Sequence, residues 1–117
     1  MLYDGSGLSS ANRVSAELLV SWLAVMAGSK AADAFRTALP TACVDGTLKG
    51  RMCNTSAAGN LRAKTGYINN VVTLTGYATT AGGRTVTFAV LGSGLRSVST
   101  ARTVIDRAMV EVTSSLL

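Results

Sequence analysis

Two hydrophobic rhythms divide the chain. Through residues 13–27, Val14, Leu18, Trp22 and Val25 recur at helical spacing, and a shorter stretch at 30–39 brings Ala31, Ala34, Phe35 and Ala38 to one face. This predicts a helix pair, the first capped by Asn12 or Ser10 and ended by Gly28, the second stopped by Pro40. Residues 41–60 lose the periodicity except for one short helical possibility around 47–52. They form a long connector, a kind of segment that is usually functional or mobile.

Beyond the connector the period changes to two. Residues 61–68 read as a strand. In 71–79, Val72, Leu74, Gly76 and Ala78 alternate with Thr73, Thr75, Tyr77 and Thr79. After the hairpin turn "AGGR", residues 84–91 set Val86, Phe88 and Val90 on one face. Helical spacing returns at 98–117, where Val98, Ala101, Ile105, Ala108, Val112 and Leu116 make one stripe, which a helix lying on the sheet would bury. The expected fold is α/β of the α+β type: an N-terminal helix pair, a three-stranded antiparallel meander and a C-terminal helix on the sheet. Such a sheet can be stable, but it has two edges and a helix pair without an obvious partner, as the tail end of something larger would.

Composition sets bounds on this picture. A chain of 117 residues with 48% hydrophobic and 15% charged residues suits one foldable domain. Its net charge of +5 comes from basic residues scattered along the chain, and aromatic residues make up only 5%, so no nucleic-acid footprint is visible. The diffuse positive field suits an anionic ligand or an anionic surface. The chain has no histidine, which removes Ser-His-Asp and Cys-His chemistry and leaves only Cys43 and Cys53 as soft metal ligands. A hydrolase built from it needs lysine as its base. The spacing of Cys43 and Cys53 is compatible with a disulfide and with two buried thiols. The opening "MLYDGSGLSS" lacks the basic-then-apolar pattern of a signal peptide, and no apolar run reaches membrane-spanning length. Taken by itself the chain reads as cytosolic, an expectation that fails if it is part of a larger protein.

Three segments carry candidate chemistry. In "LRAKTGYINN", Lys64, Thr65 and Gly66 lie on a strand. An ammonium and a hydroxyl side by side can bind a carboxylate, and glycine lets a ligand lie against the strand edge. The Tyr67 N–H can then face a developing oxyanion. The plainer alternative is an exposed basic residue beside a turn glycine. "DGSGLSSANRVSA" has Asp4, Ser6, Ser9 and Ser10 competing for backbone N–H groups before a helix, and reads locally as a capping loop. "LPTACVDGTLKGRM" reads locally as a turn at Asp45-Gly46 followed by a cap at Thr47.

Taken together and in this order, "DGSGLS", "LP…DGTLKGRM" and "GNLRAKTGYINNVVTLTGY" resemble the C-terminal part of the D-alanyl-D-alanine carboxypeptidases/endopeptidases known as low-molecular-mass class C penicillin-binding proteins. The resemblance runs from Asp4 to the end of the chain. It implies a penicillin-binding transpeptidase/β-lactamase-like fold, with residues 1–117 forming part of a serine DD-peptidase domain. It also implies an acylation–deacylation mechanism without metal or cofactor. Lys64 and Thr65 would hold the terminal carboxylate of a peptidoglycan stem peptide or a β-lactam, with Gly66 beside them, and the Tyr67 N–H would form half of the oxyanion hole. Leu8 and Ser10 would border the pocket for the donor-peptide side chain.

Two positions depart from the family pattern. Ser10 stands where an arginine is usual, and Tyr67 stands where a small hydroxyl residue is usual. The family's S-x-x-K does not occur in the chain, and Ser10-Ala11-Asn12 matches S-x-N at the wrong place, because the family's S-x-N lies upstream of "DGSGLS". Without the nucleophile no acyl-enzyme forms. The expected protein is therefore a fragment of a cell-envelope D-Ala-D-Ala carboxypeptidase/endopeptidase, inactive alone, with the missing N-terminal part of the domain as its partner. The alternatives are a non-catalytic partner or remnant module, and a piece of a class A β-lactamase, against which "DGSGLS" and "DGTLKGRM" argue.

Overall fold

The computed structural model describes all 117 residues. Its elements run α1 (Ala16–Ala27), α2 (Ala32–Ala38), a 3-10 turn (Gly46–Leu48), β1 (Leu61–Ile68), β2 (Val71–Thr79), β3 (Thr85–Gly92) and α3 (Val98–Ser114). The strands form one antiparallel sheet in the order β1-β2-β3, with Leu61 opposite Ala78 and Ile68 opposite Val71 in the first pair. The meander is the one the period-two pattern predicts, with β3 shifted by one residue. Asn69, at a φ of 52°, turns the first hairpin, and Gly83, at 86°, turns the second.

Period-two alternation assigns the two faces of the sheet. Leu61, Ala63, Val72, Leu74, Ala78 and Phe88 point to one side, where they meet Ile105 and Met109 of α3 and Ala42, Leu48, Met52 and Ala57 of the connector in a single core. On the opposite side a smaller cluster joins Leu23 of α1 and Leu39 to Tyr77 of β2. The Tyr77 hydroxyl donates to the Leu23 carbonyl at 2.6 Å, and Phe35 sets its ring edge-on to both Trp22 and Tyr77. Burial holds the Tyr77 phenol above its ordinary pKa, so it remains a donor.

Several helix details differ from the sequence reading. Ser15 caps α1 by accepting the Leu18 N–H at 3.0 Å, while Asn12 is engaged by the loop before it. The buried residue of α1 is Leu23, and Leu18, Trp22 and Val25 are exposed. The segment "AELLVSWLAVMA" is apolar around most of its circumference, so spacing alone does not select the face that meets the sheet. In α3 the buried line is Ile105, Met109 and Thr113, whereas Ala108 and Leu116 are exposed. Thr113 tolerates burial because its hydroxyl reaches the Met109 and Val110 carbonyls and the Ser56 hydroxyl. α3 ends at Ser114, three residues earlier than its stripe suggested, and the helical turn of the connector is confined to Gly46–Leu48.

Gly76 sets how closely β1 approaches β2. A Cβ built there would sit 2.7 Å from the Ala63 Cα and nearer still to the Arg62 carbonyl. Gly76→Ala must therefore push β1 outward. We expect a loss of about 1–3 kcal/mol, the usual cost of overpacking, read as a lower urea midpoint at unchanged slope.

Candidate active site

Half of the outer edge of β1 is occupied. The chain leaves α2, becomes extended at Leu39 because Pro40 follows, and runs along β1: Pro40 C=O accepts the Ala63 N–H at 3.0 Å, and Ala42 N–H donates to the Leu61 C=O at 2.9 Å. Leu61 and Ala63 thus direct their N–H and C=O groups away from β2. In an antiparallel ladder that direction repeats every second residue, so Thr65 and Tyr67 present theirs at the same edge. There the edge is open. Lys64 Nζ donates to the Thr65 carbonyl.

After Ala42 the connector doubles back. Asp45 Oδ1 accepts the Thr41 N–H at 2.7 Å, and Gly46, at a φ of 56°, passes against the Pro40 ring, where a Cβ would meet ring carbons at 3.1 Å. The turn returns Thr47 to β1, where its hydroxyl accepts from Thr65 Oγ1 at 3.0 Å. Cys43 and Cys53 form a disulfide that closes this loop, resolving the two possibilities left by their spacing. Arg51 ties it to α3 through both oxygens of Asp106, at 2.6 and 3.2 Å.

The result is a cleft of about 400 Å³ lined by Thr47, Arg51, Thr65, Gly66, Tyr67, Val72, Thr73 and Arg102. Three of the sequence-derived site residues, Thr65, Gly66 and Tyr67, meet there. Lys64 lies outside the lining, exposed on the opposite face of the strand. Gly66 leaves room for Thr73, whose Oγ1 and Cβ fall within contact range of any Cβ added there. Leu8 and Ser10 are exposed on the N-terminal loop and do not line the cleft, and the Ser10 carbonyl accepts from the Arg13 guanidinium at 2.7 Å.

That loop is organised by Asp4. Its carboxylate receives the Gly7 and Ser9 N–H groups, the Ser6 hydroxyl and the Asn12 amide. The Asn12 contact chiefly, with the others, holds the carboxyl below its ordinary pKa of 3.8. Thr47, Arg51, Thr73 and Arg102 were not picked out from the sequence as site residues. Thr47 and Arg51 lie in the "DGTLKGRM" segment already singled out, while no local pattern marks Thr73 or Arg102.

The fold is that of a penicillin-binding protein. It matches the crystal structure of penicillin binding protein 4 (dacB) from Haemophilus influenzae complexed with a β-lactam, at a TM-score of 0.81 and 30% identity over 96% of this chain and 28% of that one. A second structure of the same protein matches at 0.80 and 31%, over 93% and 26% of the two chains. Within that class, the chain belongs to the D-Ala-D-Ala carboxypeptidase 3 (S13) family, whose model matches residues 1–116.

Relatives include a D-alanyl-D-alanine carboxypeptidase from Actinomadura sp. strain R39, 40% identical over 66% of this chain and 15% of its own length. DacB of Haemophilus influenzae is 37% identical over 75% and 19%, and carboxypeptidase DacB of Mycolicibacterium smegmatis is 39% identical over 90% and 24%. The chain thus spans between 15% and 24% of the length of these relatives. No helix is long and apolar enough to cross a membrane.

Two outcomes follow from this geometry. Reducing the Cys43–Cys53 bridge, which spans 10 residues, should cost about 2–3 kcal/mol, the loop-closure value for so short a ring, seen as a lower urea midpoint with dithiothreitol. Because the folded-state pKa of Asp4 is depressed, its contribution is present above the unfolded value and disappears as pH falls through the folded one. The Gly7 and Ser9 amide resonances should therefore hold steady at neutral pH and shift only in acid below 3.8, and Asp4→Asn should abolish that transition.

Proposed function

We propose that residues 1–117 form part of a serine-type DD-peptidase domain and contribute the substrate-holding strand of its active site. Thr65 and Lys64 hold the terminal carboxylate of a D-Ala-D-Ala stem peptide or a β-lactam. Gly66 admits the ligand, and the Tyr67 N–H faces the developing oxyanion. Leu8 and Ser10, which lie outside the cleft, border the side-chain pocket of the complete domain. The observation that carries this reading is the half-open edge of β1: the Thr65 and Tyr67 edge groups have no backbone partner, the Thr65 C=O being held only by Lys64 Nζ, and such groups are what an extended peptide pairs with when it adds to a sheet.

The chemistry on this reading is acyl transfer to a serine, followed by hydrolysis. The chain holds no S-x-x-K, so the nucleophile and its lysine base come from the remainder of the domain, and the polypeptide alone binds without turnover. The exposed apolar residues Leu18, Trp22 and Val25 of α1 offer that remainder a surface to pack on. The whole protein acts on peptidoglycan and therefore works in the cell envelope.

Fluorescent penicillin distinguishes the possibilities. The purified chain should show no covalent label after denaturing electrophoresis. A co-expressed upstream segment carrying S-x-x-K should restore labelling, and Lys64→Ala should reduce it by at least tenfold, in line with the loss of a charge-assisted contact. Labelling of the isolated chain would overturn the assignment of the nucleophile. Failure of the restored pair to label would favour a non-catalytic module.

A further inference from the structure

The cleft beside β1 contains two guanidinium groups in different states. Arg51 is bound to both oxygens of Asp106, the only ion pair in the chain, and is neutralised by it. Arg102, from the first turns of α3, has no carboxylate partner and no hydrogen bond to protein. Its guanidinium lies 5.4 Å from the centre of the Tyr67 ring, which supports it as a cation–π platform without using its N–H donors. No acidic residue lines the cleft, whereas the Thr47, Thr65 and Thr73 hydroxyls do. One uncompensated cation among hydroxyls at an open strand edge is a site for a single negative charge.

We infer that Arg102 is a specificity-determining residue that receives the terminal carboxylate of the peptide, together with Thr65. This deepens the function proposed above and rests on it. The two residues share one side of the sheet: Thr65 and Tyr67 alternate onto the face that α3 covers, and Arg102 reaches the Tyr67 ring from α3. The Tyr67 ring holds the guanidinium beside the strand edge while leaving its N–H donors free for a ligand. A planar guanidinium can engage both carboxylate oxygens, so it discriminates strongly between a free carboxylate and a neutral amide.

The test is a titration of the full chain, followed by amide NMR, with N-acetyl-D-Ala-D-Ala and with its C-terminal amide. The acid should shift the Thr65, Gly66 and Tyr67 resonances, and the amide should bind about tenfold more weakly. Arg102→Gln should erase that preference by weakening the acid alone. Arg102→Lys should restore part of it, and because position 102 is exposed both variants should keep the remaining spectrum. If the acid binds at β1 but Arg102→Gln leaves its affinity unchanged, the role of Arg102 is refuted while the proposed function stands. If acid and amide bind alike at β1, carboxylate recognition by Arg102 is refuted. If the acid does not perturb β1 at all, the strand-edge reading fails and this inference fails with it.

Discussion

The arrangement of the site depends on where one short segment joins and leaves the edge of β1. Pro40 ends α2 and delivers the chain onto the strand. Its carbonyl then takes the Ala63 N–H, and the Ala42 N–H closes on the Leu61 carbonyl. Residues before Pro40 are helical and cannot extend the pairing, so the Thr65 and Tyr67 edge groups are left without a backbone partner. An unprotected edge invites non-specific pairing, and here the exposed stretch is kept short and flanked by Lys64 and Arg102, both charged. The same segment supplies the ring against which Gly46 turns, which brings Thr47 to the Thr65 hydroxyl. Covering half of the edge and shaping the other half are consequences of one proline.

The sheet was legible in the sequence because apolar and polar residues alternate through most of β2 and its neighbours. In β2, Val72, Leu74 and Ala78 are all nearly inaccessible, and the threonines between them are less buried, so the period marks the strand and its core face. The helices were less legible, for two different reasons. α1 is apolar nearly all round, and Leu23 is its contact with the sheet only because α1 lies along β3 beside Tyr77, a tertiary fact. In α3 the core line runs through Thr113, which an apolar scan passes over because its burial depends on Ser56, 57 residues away in sequence.

The site shows the same division. Lys64, Thr65, Gly66 and Tyr67 are contiguous, so a local motif can present them together. The cleft is completed by Thr47, Thr73 and Arg102, which come from the connector, the neighbouring strand and α3. Of these, Thr73 follows from register once Gly66 is known, because the two are directly opposed. Arg102 follows from nothing local. It is recognisable only when Tyr67 is seen to hold it and Arg51 is seen to be already paired.

The alternation of β1 also explains why a lysine, a hydroxyl residue and a glycine in direct succession can act on one ligand. Adjacent strand residues point to opposite faces, so Lys64 and Thr65 cannot both line a pocket on the same side of the sheet. At an open edge this is no obstacle, because a ligand paired with the Thr65 and Tyr67 backbone lies in the plane of the sheet and is reachable from above and below. On the proposed reading, Thr65 and Arg102 approach from the α3 side. Lys64 approaches from the side of α1, where Leu18, Trp22 and Val25 are also exposed. On that reading the carboxylate is held from both sides of a single strand, and Gly66 is the position where an added Cβ would collide with Thr73 of the neighbouring strand.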